Sequence, residues 1–216
     1  MTTAPLPTTR EVPLRHTASW AAASATLAPV VLVLGWWYAG ALASGYDRVA
    51  HPLSDLWASD APNRWVMAVA VGLVGACHVV TATGLRPVDP TGRWLLAVGG
   101  GFMMLWAATP NHVAGRYFLG HTFSGGLTFF CLALWAAVSA RNGPHVPAVL
   151  HRPVAAAVSI VAVLLLLTMV FGILGDTADQ GLREGALLLW TALWPLVVVI
   201  GCRRPGSMAQ PDRGGR

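Results

Sequence analysis

Residues 17–46 read TASWAAASATLAPVVLVLGWWYAGALASGY and contain no Asp, Glu, Lys or Arg. A helix that crosses a bilayer needs about 20 mainly apolar residues, because each residue rises about 1.5 Å through a hydrocarbon layer about 30 Å thick. The run follows Arg10 and Arg15, as a signal-peptide core would, but it far exceeds the roughly 7–15 residues of such a core. We therefore predict a membrane helix that the mature protein retains.

Similar charge-free runs follow along the chain, at residues 65–85, 94–115, 117–140, 153–175 and 185–202. The composition agrees, since 55% of the 216 residues are hydrophobic and 11% are charged, against about 25% charged in an average soluble domain. Pro110 and Asn111 predict that the third helix ends near Thr109. The sequence therefore predicts an all-α membrane protein, a bundle of six transmembrane helices.

The 14 basic residues are all arginine, and they lie at the ends of the apolar runs. Ten of them fall in the tails and even-numbered loops and four in the odd-numbered loops, which predicts a cell (inner) membrane protein with both termini in the cytoplasm. Charges placed in this way set topology and do not indicate a nucleic-acid partner. The predicted organisation is a tail at 1–16, a transmembrane domain at 17–202 and a disordered tail at 203–216.

The first loop, residues 45–65, reads GYDRVAHPLSDLWASDAPNRW and is the most polar stretch between the apolar runs. Pro52 suits the first position of a helix, and Leu53, Leu56 and Trp57 then fall on one side of it. We predict a short interfacial helix, with Trp57 exposed as a surface for a partner. The alternative is that the polar residues of this loop are solvated and only end the spans.

His121 is the second polar feature, because it lies four residues beyond Tyr117 and so about 6 Å below the outer surface. A histidine at this depth usually faces the bundle interior or a water-filled cavity. The alternative is a structural histidine that donates to a neighbouring carbonyl. His78 lies much deeper, in the second run, and we predict a packing role for it.

Motifs of known chemistry are absent from the sequence: there is no P-loop, no GxSxG, no HExxH and no GxGxxG after a strand. The three cysteines show no CxxC spacing, so a zinc or disulfide framework is not expected. Ligation of a metal by His112, His121 and an acid is chemically possible. Their spacing does not identify such a site, so we predict no metal and leave any cofactor open.

Three segments read HPLSDLWASDAPNRW at 51–65, TPNHVAGRYFLGH at 109–121 and DQGLREGALLLW at 179–190. They resemble the DUF998 family of multi-pass bacterial membrane proteins, and the resemblance covers residues 28–200. In the second segment His121 matches the family's histidine, whereas Asn111 stands where an acid is common. In the third segment Arg183 matches and Gln180 is displaced. The resemblance implies a six-helix bundle and no known activity.

The predicted topology places the polar residues of separate loops at one membrane face, where converging polar groups usually form a functional pocket. The candidate catalytic residues are Asp55 and His121, and the candidate substrate-binding residues are His51, Ser54, Asn111 and Arg183. The same residues would also suit a hydrogen-bonded clasp between the loops.

These residues favour an enzyme that acts on a lipid or isoprenoid at the outer leaflet. Asp55 or His121 would then be the acid or base, and Arg183 would neutralise an anionic head group. Alternatives are a protein that binds or exports a small amphipathic molecule, and an accessory subunit of a membrane complex. Membrane lipids and a lipid-like small molecule are the expected partners.

Overall fold

The computed structural model describes residues 17–113, 116–143 and 146–203. The predicted tail at 1–16 and residues 204–216 of the predicted second tail lie outside these ranges, as does the side chain of His112. The long helices of the described chain are α1 (Ser19–Leu42), α2 (Arg64–Gly84), α3 (Pro90–Ala108), α4 (Leu119–Val138), α5 (Arg152–Leu174) and α6 (Gln180–Arg203).

Short elements connect the long helices. A 3₁₀ helix at Leu53–Trp57 follows α1, and a second one at Ala148–Leu150 precedes α5. Between α3 and α4, β1 (His112–Val113) pairs antiparallel with β2 (Arg116–Tyr117). The prediction of an all-α fold is confirmed in its main feature, and the short helix in the first loop occurs where the sequence predicted one.

The long helices form a closed ring in which each packs against its sequence neighbours and α6 packs against α1. Neighbouring helices run antiparallel, since the N–H of Ala18 before α1 donates to the carbonyl of Gly84 at the end of α2 at 3.1 Å, and Trp106 near the end of α3 contacts His121 near the start of α4 at 2.7 Å. His78 of α2 reaches across the ring to the carbonyl of Thr191 on α6, at 3.2 Å. His78 therefore occupies part of the middle of the ring at this level, which agrees with the packing role predicted for it.

Glycines allow close contacts between α2, α3 and α4. A Cβ on Gly75 would lie 2.6 Å from the carbonyl oxygen of Gly100, and a Cβ on Gly125 would lie 2.8 Å from the indole nitrogen of Trp106. Such small residues let helix backbones approach each other in a membrane. Gly101 and Gly126, which follow the closely packed Gly100 and Gly125, face open space instead.

Five of the helices, α1, α2, α4, α5 and α6, are long and apolar enough to cross a membrane. Their outer faces carry large apolar side chains, such as Leu119, Phe171 and Leu174. The glycine-rich α3 is not among these five candidate spans. It nevertheless packs along the length of α4, because its residues Gly92 and Gly99 contact Ser139 and Leu132 in turn.

Two helices begin at least four residues earlier than the charge-free runs predicted. Helix α3 starts at Pro90 after an Asp89 cap, and it includes Arg93; α6 starts at Gln180, so that Arg183 and Glu184 belong to the helix and not to the loop. The prediction treated every charge as a boundary. These charges are instead paired with carbonyl oxygens or neighbouring polar groups, which lets the helix continue past them.

The two ends of the bundle differ in charge. The first end, which we call the acidic end, holds the connections at 43–63, 109–118 and 175–179 and the first turns of α6. In the described chain it carries six acidic residues and four arginines. The opposite end, which we call the basic end, carries five arginines and a single acid, Asp89.

Candidate functional site

The 3₁₀ helix Leu53–Trp57 lies at the acidic end with Leu53, Ser54, Leu56 and Trp57 all buried. Trp57 is only 2% exposed, so the prediction that it forms an exposed surface for a partner is wrong. Its indole packs edge-on against Trp106, with 5.0 Å between the ring centroids, and donates to the carbonyl of Thr109 at 3.2 Å. The apolar side of this helix is therefore directed into the bundle.

A buried carboxyl group holds the beginning of the same helix. The backbone N–H and the hydroxyl of Ser54 both donate to Oε2 of Glu184, at 3.1 and 3.3 Å. Glu184 is 5% exposed. In the described chain, its carboxylate thus accepts hydrogen bonds from neutral groups of the Leu53–Trp57 helix.

Asp55 is joined to the connection between α3 and α4. The side-chain amide of the buried Asn111 donates to its Oδ1 at 2.9 Å, and the Asn111 carbonyl accepts from the backbone of Phe118 at 3.0 Å. The negative charge of Asp55 is also close enough to interact electrostatically with the carboxyl group of Glu184. The structure therefore brings Ser54, Asp55 and Asn111 together, and it adds Glu184 to them.

His121 lies in a neighbouring aromatic cluster. The indole N–H of Trp106 donates to its Nε2 at 2.7 Å, and its Nδ1 lies 2.9 Å from the carbonyl oxygen of Thr109. Because an indole nitrogen can only donate, Nε2 is unprotonated and Nδ1–H donates to Thr109. These contacts fit the structural alternative for His121, with its tautomer fixed by Trp106.

Tyr46 closes the site on the side of α1. Its hydroxyl accepts from the indole of Trp36 at 3.1 Å and lies 3.4 Å from the carbonyl of Pro52. Burial raises the pKa of this phenol, and the nearby charges of Glu184 and Asp55 raise it further. The ring of Trp36 also packs against Gly185 of α6. The aromatic rings of Trp36 and Tyr46 therefore lie beside the carboxyl groups of Glu184 and Asp55.

His51 and Arg183 lie at the edge of this group. The Nδ1 of His51 accepts from the backbone N–H of Asp47 at 3.0 Å. The guanidinium of Arg183 donates to Asp179 at 2.8 Å and to the carbonyl of Thr168 at 2.9 Å. In the described chain neither side chain has a contact with Asp55 or His121. Arg183 therefore faces α5 and the loop before α6.

The ion pair between Arg183 and Asp179 affects the titration of this partly exposed acid. The hydrogen bond from Arg183 lowers the pKa of Asp179, and the hydroxyl of Thr177, which donates at 2.6 Å, lowers it further. Asp179 is consequently a stable anion at neutral pH. This pairing leaves Arg183 poorly placed to neutralise an anionic head group beside Asp55.

Sequence reasoning placed Glu184 in a loop and did not include it among the site residues. A spacing signal was available, because buried positions of α6 recur at intervals of three and four residues. These positions are Gly181, Glu184, Leu188, Thr191 and Pro195. A carboxyl group on that stripe faces the interior, but the stripe can be seen only if α6 begins at Gln180.

Metal ligation finds no support within residues 17–113, 116–143 and 146–203. No group of three or more His, Cys, Asp or Glu side chains in these ranges is arranged to hold a metal ion. The side chain of His112, which the sequence suggested as a possible ligand, lies outside the described residues.

The apolar candidate spans and the buried polar groups at one end are consistent with a multi-pass integral membrane protein. Within that class, residues 26–201 match the model of a family described as protein of unknown function, DUF998, and the chain belongs to this family. No curated protein and no solved structure matches the chain.

Proposed function

We propose that the protein spans the bacterial cell membrane six times, with both termini in the cytoplasm and the acidic end outside. The excess of arginine at the basic end supports this orientation. The packing of α3 along α4 supports a sixth span, since 19 residues extend about 28 Å, close to the thickness of the hydrocarbon layer.

Cysteine labelling in whole cells tests this topology. In a background without Cys77, Cys131 and Cys202, we expect a membrane-impermeant maleimide to label Asp60→Cys and Arg116→Cys. We expect Arg86→Cys to be labelled only after the membrane is opened. If Asp60→Cys and Arg116→Cys differ from each other, α3 does not cross; if the whole pattern is reversed, the orientation is wrong.

The function we propose is the binding of a small amphipathic molecule with a cationic head at the acidic end. The observation that carries it is Glu184, a buried carboxyl group whose donors in the described chain are neutral. A buried carboxylate without a compensating cation costs several kcal/mol. Either a proton or a bound cation removes this cost, so the group suits a cation-binding role.

The surroundings of Glu184 fit a cationic head with an apolar body. Trp36 and Tyr46 present aromatic rings on one side, and aromatic faces attract quaternary ammonium groups. Asp55 adds a second negative charge close by. Ser54 and Asn111 then orient the two carboxyl groups, while His51 and Arg183 remain at the rim.

Binding of a cation is expected to strengthen as the pH rises, because a proton and the ligand compete for the same carboxyl group. Tyr46 and Asp55 are titratable groups beside it, and His51, whose ring centroid lies 5.9 Å from that of Tyr46, is a further one at the edge of the site. A quaternary ammonium ligand isolates this effect, since its own charge does not change with pH. The measurement is its dissociation constant across pH 5 to 8, taken with the purified full-length protein at about constant ionic strength.

Glu184→Gln is the decisive variant for this function, because glutamine keeps an oxygen that accepts from Ser54 but carries no charge. We expect decyltrimethylammonium to raise the melting temperature of the wild type, and decyl phosphate or decyl maltoside to have little effect. Glu184→Gln should weaken binding at least about tenfold, as loss of a charge-assisted contact does. The matched control is Asp60→Asn, an exposed acid at the same end, which should bind normally. Unchanged binding by Glu184→Gln would exclude the proposal.

An enzyme acting on a lipid or isoprenoid is the second candidate, favoured by the proximity of two carboxyl groups. Asp55 and Glu184 would share the roles of acid and base, because the accepting nitrogen of His121 is occupied by Trp106. Lipid extracts from cells with Asp55→Asn would then match those of a deletion strain. Extracts that match the wild type would argue against this reaction.

A further inference from the structure

A groove at the basic end lies apart from the polar site. Its walls are Ala82 and Thr83 of α2 and Pro90, Arg93, Trp94 and Ala97 of α3, and its volume is about 170 Å³. Drug-sized ligands occupy pockets of about 300–1,000 Å³. The groove is therefore suited to a compact head group or part of a chain that continues outside it.

Arg93 is held at the wall of the groove by the end of α2. Its Nε donates to the carbonyl of Ala82 at 2.8 Å, and its Nη2 donates to the carbonyl of Thr83 at 3.1 Å. These oxygens belong to the last turn of the helix, where carbonyl groups lack helical partners. A guanidinium has five N–H donors in a rigid fork. Three of them have no partner in the described chain, so a fixed cation offers donors to an anion.

The charge around the groove favours an anionic ligand. The arginines of this end in the described chain are Arg86, Arg93, Arg141, Arg152 and Arg203. The single acid, Asp89, already accepts from the backbone N–H of Thr91 at 2.9 Å as the cap of α3. Arg141 also approaches the loop between α2 and α3, because its Nη1 donates to the carbonyl of Pro87 at 2.8 Å.

Apolar surface extends from the groove towards the middle of the bundle. Trp94 is 72% exposed at the mouth, as aromatic rings at a membrane interface commonly are. Val98 lies one turn further along α3, and Val80 lies about one turn back along α2; both are exposed. A ligand with its head at Arg93 would therefore have a continuous apolar surface for its tail.

We infer that this groove binds an anionic phospholipid of the adjacent leaflet, with the phosphate on Arg93 and an acyl chain beside Trp94 and Val98. Basic pockets between transmembrane helices are known to take such head groups. The lipid would join α2 to α3 at the end of the bundle where Arg93 already caps α2. This inference does not depend on the ligand proposed for the acidic end.

The test compares lipids on purified full-length protein in a neutral detergent, with melting temperature as the readout. We expect phosphatidylglycerol to bind at least about fivefold more tightly than phosphatidylcholine, the factor that one basic residue near an anionic surface provides. Arg93→Gln should remove this preference. Ala97→Phe leaves the guanidinium intact and fills the groove, so it should weaken the binding of phosphatidylglycerol even if Arg93→Gln fails to fold.

Arg86→Gln is the matched control, because it removes the same charge from an exposed residue at the same end outside the groove. It should leave the preference unchanged. An equal loss in Arg86→Gln would mean general surface attraction and would overturn the site. Glycerol 3-phosphate alone should bind poorly; if it raises the melting temperature as much as the lipid, the groove is a free-anion site. Retention of the preference by both Arg93→Gln and Ala97→Phe would also overturn the inference.

Discussion

Gly181→Ala is expected to lower the free energy of unfolding by about 1–3 kcal/mol, the range for forcing an added group into a packed interior. A Cβ at this position would collide with the carbonyl oxygen of His51 and lie 2.5 Å from that of Arg48. These oxygens belong to backbone and cannot rotate away. Unfolding in a detergent titration measures the loss.

Two backbone hydrogen bonds hold the segment of the first loop that Gly181 contacts, so this segment cannot easily move to make room for a side chain. The N–H of Leu182 donates to the carbonyl of Val49 at 3.1 Å, and the N–H of His51 donates to the carbonyl of Asp47 at 2.8 Å. The added methyl group must therefore push α6 away from the first loop. Because Glu184 follows Gly181 by one turn, its contact with Ser54 would weaken as well.

Gly126→Ala is the matched control for this prediction. Gly126 lies inside α4, and a Cβ there meets nothing within 4 Å. Its replacement should be neutral or stabilising by about 0.5–1 kcal/mol, since glycine in a helix is less favourable than alanine. Equal effects of the two substitutions would show that Gly181 is not a point of close packing.

The positions of the helices could be predicted because one physical requirement dominates them. Backbone groups in hydrocarbon must bond to one another, so long charge-free runs become helices. The same rule failed at Arg93 and Glu184, where charge occurs inside a helix. In each case another segment supplies hydrogen-bond partners, either the end of α2 or Ser54, and no local pattern indicates that partner.

The site could be predicted only in part, for the same reason. Ser54, Asp55 and Asn111 were chosen by polarity and depth; the structure joins Asn111 to Asp55, whereas the neighbouring Ser54 bonds to Glu184. Arg183 was chosen in the same way, yet it pairs with Asp179 four residues before it. Helical spacing alone favours that local pair. Which partner a polar side chain takes depends on the rotation of each helix about its axis, and one sequence does not determine that.

His78→Leu is expected to destabilise the bundle by about 1–3 kcal/mol, the cost of leaving a buried acceptor unpaired. The acceptor is the carbonyl of Thr191, which would normally receive the N–H of residue 195 in the helix. Pro195 has no N–H. His78, which is 1% exposed, has Nδ1 2.8 Å from the carbonyl of Val74 and Nε2 3.2 Å from that of Thr191. The Val74 carbonyl already faces the helical N–H of His78, so we assign the proton of the neutral ring to Nε2, where it supplies the donor that Thr191 lacks.

Pro195→Ala provides the internal control, because alanine restores the helical donor to Thr191. In that background His78→Leu should cost about 1 kcal/mol less than in the wild type, a coupling within the range for polar contacts between membrane helices. The four proteins of this double-mutant cycle can be compared by unfolding in detergent. An equal cost in both backgrounds would mean that His78 acts by filling space alone. A reduced cost would mean that Pro195 in α6 and His78 in α2 act together, because the histidine then supplies the donor that the proline lacks.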